Sequence, residues 1–292
     1  MAQIKLLILL TLVSHGVFAQ TDTLQPVNKK RLRNFTIGAS VGYGATLIAL
    51  NQLWYADTEK QAFHFFNDNA EWNQIDKLGH FYSSFYLSYG FSKALQSCNV
   101  PERKSDLIGA ITGFAVLVPI EVFDGYSNAY GASSGDLLAD AAGAVFYLGQ
   151  KRVWKEIRIY PKFSFHRTDY AGMRSDILGD GLSEELLKDY NGQTYWLSVD
   201  MDKFFMRFPK WLNLGVGYGA EGMVYARSNQ NVEAGFDTPY RQYYLTLDFD
   251  LTAIKSRSKI VNTLIFIGNM IKLPSPTIEF STKGTRFYAF YF

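Results

Sequence analysis

The sequence predicts an α+β protein: an N-terminal bundle of about four apolar helices packed with a C-terminal antiparallel β-sheet or partial barrel. Three observations predict it. Up to about residue 152, long uncharged runs alternate with short charged or Pro- and Gly-bearing breaks. From about residue 153, apolar side chains recur at every second position. Aromatic residues make up 16% of the 292-residue chain and charged residues 19%, which leaves ample apolar surface to bury and excludes intrinsic disorder. The formal charge of +2 gives no electrostatic case for a nucleic-acid partner. One cysteine, Cys98, excludes an internal disulfide framework and a cysteine-built zinc site.

Residues 1–19 read as a signal peptide: Lys5, an apolar run over 6–13, and small residues Val17 and Ala19 at the −3 and −1 positions of a cut. No cysteine follows that cut, so the pattern does not predict a lipid-accepting residue there. Residues 20–30 form a polar leader. The uncharged stretch 35–56 is just long enough for a membrane-spanning helix, which needs roughly 20 residues. Gly38 and Gly42 stand four apart, a spacing that permits close helix approach, and Trp54 and Tyr55 suit an interface. A buried helix of a soluble bundle remains the alternative, given Asn51 and Gln52. Residues 57–73 read as a loop or short helix, and a second helix follows over 74–96. Pro101 stops it. Ser105 is placed to cap a third helix over 107–120, with Gly109 and Gly113 four apart and Pro119 loosening its end. After a loop over 125–134, Ser134 is placed to cap a fourth helix over 136–150, and Lys151 and Arg152 suit its C-terminus. Helices two to four hold too few residues between charges for a clean span. That suits half-inserted segments or a compact bundle.

The helical region 31–152 gives way to a β-rich region, 153–292. Strands are predicted over 157–166, 194–201, 211–220, 241–251, 277–281 and the C-terminal segment 285–292. A helix over 259–270 interrupts them, and a short surface helix starts at Ser183. Gly215, Gly217 and Gly219 lack a following helix and read as strand glycines. In the fourth strand Tyr243, Leu245, Leu247 and Phe249 face one way and Gln242, Tyr244, Thr246 and Asp248 the other. About six strands fall short of the eight or so of an outer-membrane barrel. A curved sheet packed on its own helices fits better, its exposed aromatics facing lipid or a partner.

Chemistry concentrates in the helices. Asp76 and His80 share a helical face, with Lys77 beside them. Glu121 and Asp124 lie three apart. Asp136 and Asp140 lie four apart, just after Ser134. Each short helix thus points acid or imidazole groups from one end. Apolar helices do not bury lone carboxylates, because desolvation is costly. Three readings follow: a structural polar network, a divalent-metal or catalytic site with His80 as ligand or base, or head-group binding. One histidine among carboxylates favours a hard divalent cation over zinc. No other cofactor is implied.

These residues carry a family resemblance. Asp76, Lys77, His80 and Phe81 form D-K-x-x-H-F, Glu121 and Asp124 form E-x-x-D, and Ser134, Asp136, Asp140 and Gly143 complete a later helix. Together, over residues 75–147, they resemble the YfiM-like family, also called domain of unknown function 2279. The D-K-x-x-H start is also similar, more loosely, to VanZ-type membrane proteins. The resemblance implies a periplasmic, lipoprotein-type setting and names no reaction. The expectation is an exported bacterial envelope protein that faces the periplasm, with the outer membrane favoured over the inner. It touches a membrane and an envelope protein partner. A structural or assembly role is favoured over catalysis. The alternative is an envelope hydrolase, or a ligand or metal binder, using the Asp/His/Glu cluster.

Overall fold

The computed structural model describes residues 25–55 and 59–292; the expected signal peptide lies outside them. Five helices come first: α1 (Lys29–Trp54), α2 (Ile75–Ser97), α3 (Glu102–Ala115), α4 (Val118–Gly125) and α5 (Ser134–Val153). Strand β1 (Ile159–Phe165) follows, then three short helices, α6 (Tyr170–Met173), α7 (Ser175–Leu178) and α8 (Leu182–Lys188). Next come β2 (Gln193–Val199), β3 (Leu212–Glu221), α9 (Ser228–Glu233) and β4 (Tyr240–Phe249). Helix α10 (Lys259–Gly268), β5 (Ser275–Ser281) and β6 (Gly284–Tyr291) complete the chain.

The α+β class stands, but the four-helix bundle is modified. Helices α2, α3 and α5 pack together. Helix α1 begins inside the expected polar leader, because Asn28 caps it by accepting from the Arg31 N–H at 2.9 Å. Its body leans outward, with Ile37, Val41 and Ile48 more than half exposed. Gly38 and Gly42 face open space. The close approach occurs instead at Gly109 and Gly113, where added Cβ atoms would strike the backbone of Ser88. The expected third helix is split. Among the described residues, Glu102–Gly125 is the one helical run long and apolar enough to cross a membrane. Pro119 sits in the first turn of α4, where its missing N–H costs nothing, so the run breaks into 14 and 8 residues. The longer piece rises only about 21 Å, against roughly 30 Å of bilayer hydrocarbon. Two caps also move. Pro101, not Ser105, precedes α3, and the Ser105 hydroxyl donates to the Val100 carbonyl. Ser133, not Ser134, caps α5.

The six strands form one antiparallel meander in the order β1 to β6. It curls tightly. Lys162 on β1 meets Asp248 on β4 at 2.7 Å, although three inter-strand steps in a flat sheet span about 14 Å. Residues 270–272 line the free edge of β1, with Phe163 N–H donating to Met270 and Lys272 N–H to Phe163. The concave face is polar: Lys162, Asn213, Thr246, Asp248 and Glu279 are buried there around Trp196. Gly217 lies opposite Trp196 and leaves room for its ring. The outer face is apolar: Leu245 is 48% exposed while its neighbour Thr246 is 3% exposed. The alternation of β4 is as the sequence predicts, but its inside is the polar side.

Helices and sheet meet through tyrosines on α2. The Tyr82 hydroxyl donates to the Met270 carbonyl and the Tyr86 hydroxyl to that of Pro161. Phe85, Tyr86, Ala144, Tyr147, Ile157 and Tyr160 form the buried core between them, with Phe266 of α10 packed alongside.

Candidate functional site

The site begins with an unusual chain segment. Trp72, Asn73 and Gln74 all have positive φ, between 47° and 66°. For residues with a Cβ that conformation is strained by roughly 1–3 kcal/mol each. Neighbours hold it in place. Ala226 accepts from Trp72 N–H, Tyr218 donates to the Asn73 carbonyl, and Arg241 donates to the Gln74 side chain. This twist starts α2 abruptly, so Asp76, Lys77 and His80 project from its first turns. The cap of α5 aims Asp136 and Asp140 toward them: Asp136 N–H donates to Ser133 Oγ at 3.1 Å. Helix α4 brings Glu121 from a third side. The Ser133 N–H donates to Glu121 Oε2 at 2.7 Å, which fixes that carboxylate.

The structure brings six of the eight sequence-selected residues into direct contact. Lys77 Nζ lies 2.7 Å from Asp136 Oδ1 and 3.5 Å from Asp76 Oδ2. His80 Nδ1 donates to Asp140 Oδ1 at 3.1 Å. On its other side, His80 Nε2 lies 3.9 Å from Glu121 Oε1 and 4.0 Å from Asp136 Oδ1. Asp124 stands at the rim, where the Tyr55 hydroxyl donates to it at 2.7 Å. Ser134 points to solvent and takes no part; its neighbour Ser133 does. Four participants were not selected from the sequence: Asp68, Ser133, Tyr55 and Tyr190. Asp68 bonds Lys77 at 2.5 Å and accepts from Ser133 Oγ. The Tyr190 hydroxyl donates to Asp76 at 3.0 Å. Asp68 and Tyr190 lie in aperiodic segments where no helical spacing flags them. Ser133 differs from Ser134 by one cap position.

Electrostatics follow from crowding. Burial, then the charge of Asp136, pushes Glu121 up to about 8. Burial and repulsion from Asp76 raise Asp136 to about 7 and Asp124 to about 6. Burial also raises Asp140. Burial alone would lower His80, but its bond to Asp140 and the charges of Asp76 and Asp136 lift it to about 10. Lys77 is likewise held cationic by Asp76, Asp136 and Asp68 despite burial. His80 is therefore protonated at neutral pH, without the lone pair a general base needs.

Two cavities adjoin the cluster. One of about 340 Å³ is walled by Tyr82, Leu117, Phe163 and Tyr195, with Asp76 and His80 at its edge. The other, about 280 Å³, is lined by Asp68, Asp76, Lys77, His80, Asp124 and Asp136. Asp76, His80, Ile120 and Tyr190 line both cavities.

Fold and cluster together define a class: an α+β protein whose helical half carries an acid–histidine site at converging helix ends. The comparison with families is more specific. Residues 64–149 match the model of the family described as a predicted periplasmic lipoprotein, DUF2279. The matched segment contains all eight sequence-selected residues, and its family description supports an exported, envelope location. No curated protein and no solved structure matches the chain.

Proposed function

We propose that this protein is seated in a membrane of the bacterial envelope, with the outer membrane favoured, and serves a structural or assembly role. One observation carries the reading: the curled sheet is polar inside and apolar outside. In water that arrangement is unfavourable, since soluble monomers rarely expose a contiguous apolar patch beyond a few hundred Å². Lipid as solvent reverses the preference. Leu245, Phe287 and Phe290 on the sheet, and Ile260 and Leu264 on α10, are all between 48% and 78% exposed. Trp211, 55% exposed and stacked on Phe249, reports on the same surface.

The alternative, a hydrolase with His80 as general base, is opposed by the positive charge that its carboxylate neighbours impose on His80. The test is alkaline carbonate washing of envelope fractions, followed by reconstitution into vesicles with brominated acyl chains. The seated protein resists the wash, and its tryptophan fluorescence is quenched. Release into the soluble fraction with unquenched emission would refute the proposal. Leu245→Arg and Phe287→Arg are expected to weaken vesicle partitioning while leaving the melting temperature in detergent unchanged.

A further inference from the structure

We infer that the ends of α2, α4 and α5 bind one hard divalent cation, with Asp76, His80 Nε2, Asp136 and Glu121 Oε1 as ligands. This inference does not rest on the membrane reading and concerns a different surface.

The geometry is that of a ligand set. Ligand atoms of Asp76, His80 and Asp136 lie within 4.8 Å of one another. A cation roughly 2.0–2.4 Å from each oxygen or nitrogen fits between atoms so spaced. The 3.9 and 4.0 Å separations from His80 Nε2 to Glu121 and Asp136 are too long for hydrogen bonds. They suit two ligands sharing an ion, which would take the place of the proton that Nε2 carries when no cation is bound. His80 is also oriented as metal-bound imidazoles are: Nδ1 is committed to the Asp140 carboxylate, which turns Nε2 toward the acids.

Glu121 supplies an independent observation. It is 3% exposed. Its Oε2 is satisfied by the Ser133 N–H, while its Oε1 has no hydrogen-bond partner among the described residues and faces His80. A buried oxygen left bare is costly, and a cation at this point would satisfy it. Charge balance agrees. Among the described residues, Asp68, Asp76, Glu121, Asp124, Asp136 and Asp140 face Lys77 and His80 as their cations. Lys77 has a second anchor in Asp68, so it can yield Asp136 to an ion without losing its own partner. Carboxylates with one imidazole and no thiol suit the magnesium, calcium and manganese class, and the imidazole favours manganese within it.

The probe is Mn²⁺, titrated into the EDTA-stripped full chain in detergent micelles, followed by the loss of the free-ion paramagnetic resonance signal. One ion per chain should bind saturably and raise the melting temperature. Glu121→Gln keeps the Ser133 bond and should weaken binding at least tenfold, and its ion-free form should melt no lower than the parent. Asp140→Asn, which removes the carboxylate bonded to His80 Nδ1, should weaken binding about 10- to 100-fold as the loss of a metal-orienting carboxylate does. Glu233→Gln on the exposed face of α9 should change nothing. Absence of saturable binding by the parent, or equal binding by Glu121→Gln and Asp140→Asn, overturns the inference. If Glu121→Gln fails to fold, Asp140→Asn alone decides. Either negative result leaves the tryptophan-quenching test of the membrane reading untouched.

Discussion

Four glycines show how little a residue's own spacing says about its use. Gly38/Gly42 and Gly109/Gly113 have the same four-residue interval, yet only the second pair lies against another helix. Gly113→Ala should therefore destabilise by about 1–3 kcal/mol through overpacking against Ser88. Gly42→Ala, with open space around it, should stabilise by roughly 0.5–1 kcal/mol by removing backbone freedom from a helix interior. Thermal melts of the two variants in the same detergent separate them. Asp200, beyond β2, offers a pH-dependent counterpart. Burial, a hydrogen bond shared with Asp202 and the charge of Asp250 raise it from 3.8 to about 8. Its proton is bound more tightly in the folded state, so stability falls as pH rises from about 4 to about 8. Asp200→Asn should reduce that slope by its own share and melt about 2 °C or more above the parent at pH 8, with no such gain at pH 4. Scanning calorimetry across that range reads both.

At the scale of elements, the helical spacing made the carboxylate–histidine faces legible, because residues three or four apart must share a side. The spacing could not show that Pro119 would end one helix and begin another, which is what turns Glu121 toward His80. Nor could it reveal Asp68 or the left-handed turn at residues 72–74, since both are held by distant partners. Strands β2, β3 and β4 are visible as alternation. The alternation alone does not say which side is enclosed, because lipid and water make opposite choices. The enclosed side depends on ion pairs that cross the curl. Lys162, Asp248 and Lys272 are fully buried, with Asp248 2.7 Å from the first lysine and 3.9 Å from the second. Asp248→Ala strands two cations and should cost about 3–5 kcal/mol. Lys162→Met leaves Lys272 beside Asp248 and should cost less. Denaturant titration of the two variants in micelles measures the difference.

Across the whole molecule, the change of period near residue 153 marks a change of secondary structure. The contacts cross that line. Tyr86 on α2 is buried against Tyr160 and Phe266, and its hydroxyl bonds the β1 backbone. Residues 25–157 expressed alone should therefore lack a cooperative melt and aggregate, whereas co-expression with 158–292 should restore a soluble micellar complex. A cooperative transition in the isolated helical fragment would contradict this.

The strip at residues 270–272 has a consequence in time. Strand β1 is synthesised more than a hundred residues before the segment that covers its outer edge. An emerging or translocating chain therefore carries β1 with the Phe163 amide and carbonyl unpaired until α10 has passed. Such an edge is a template for pairing with another chain, and contacts this distant in sequence form late. The vulnerable interval in this protein's life is the wait for its own residue 270.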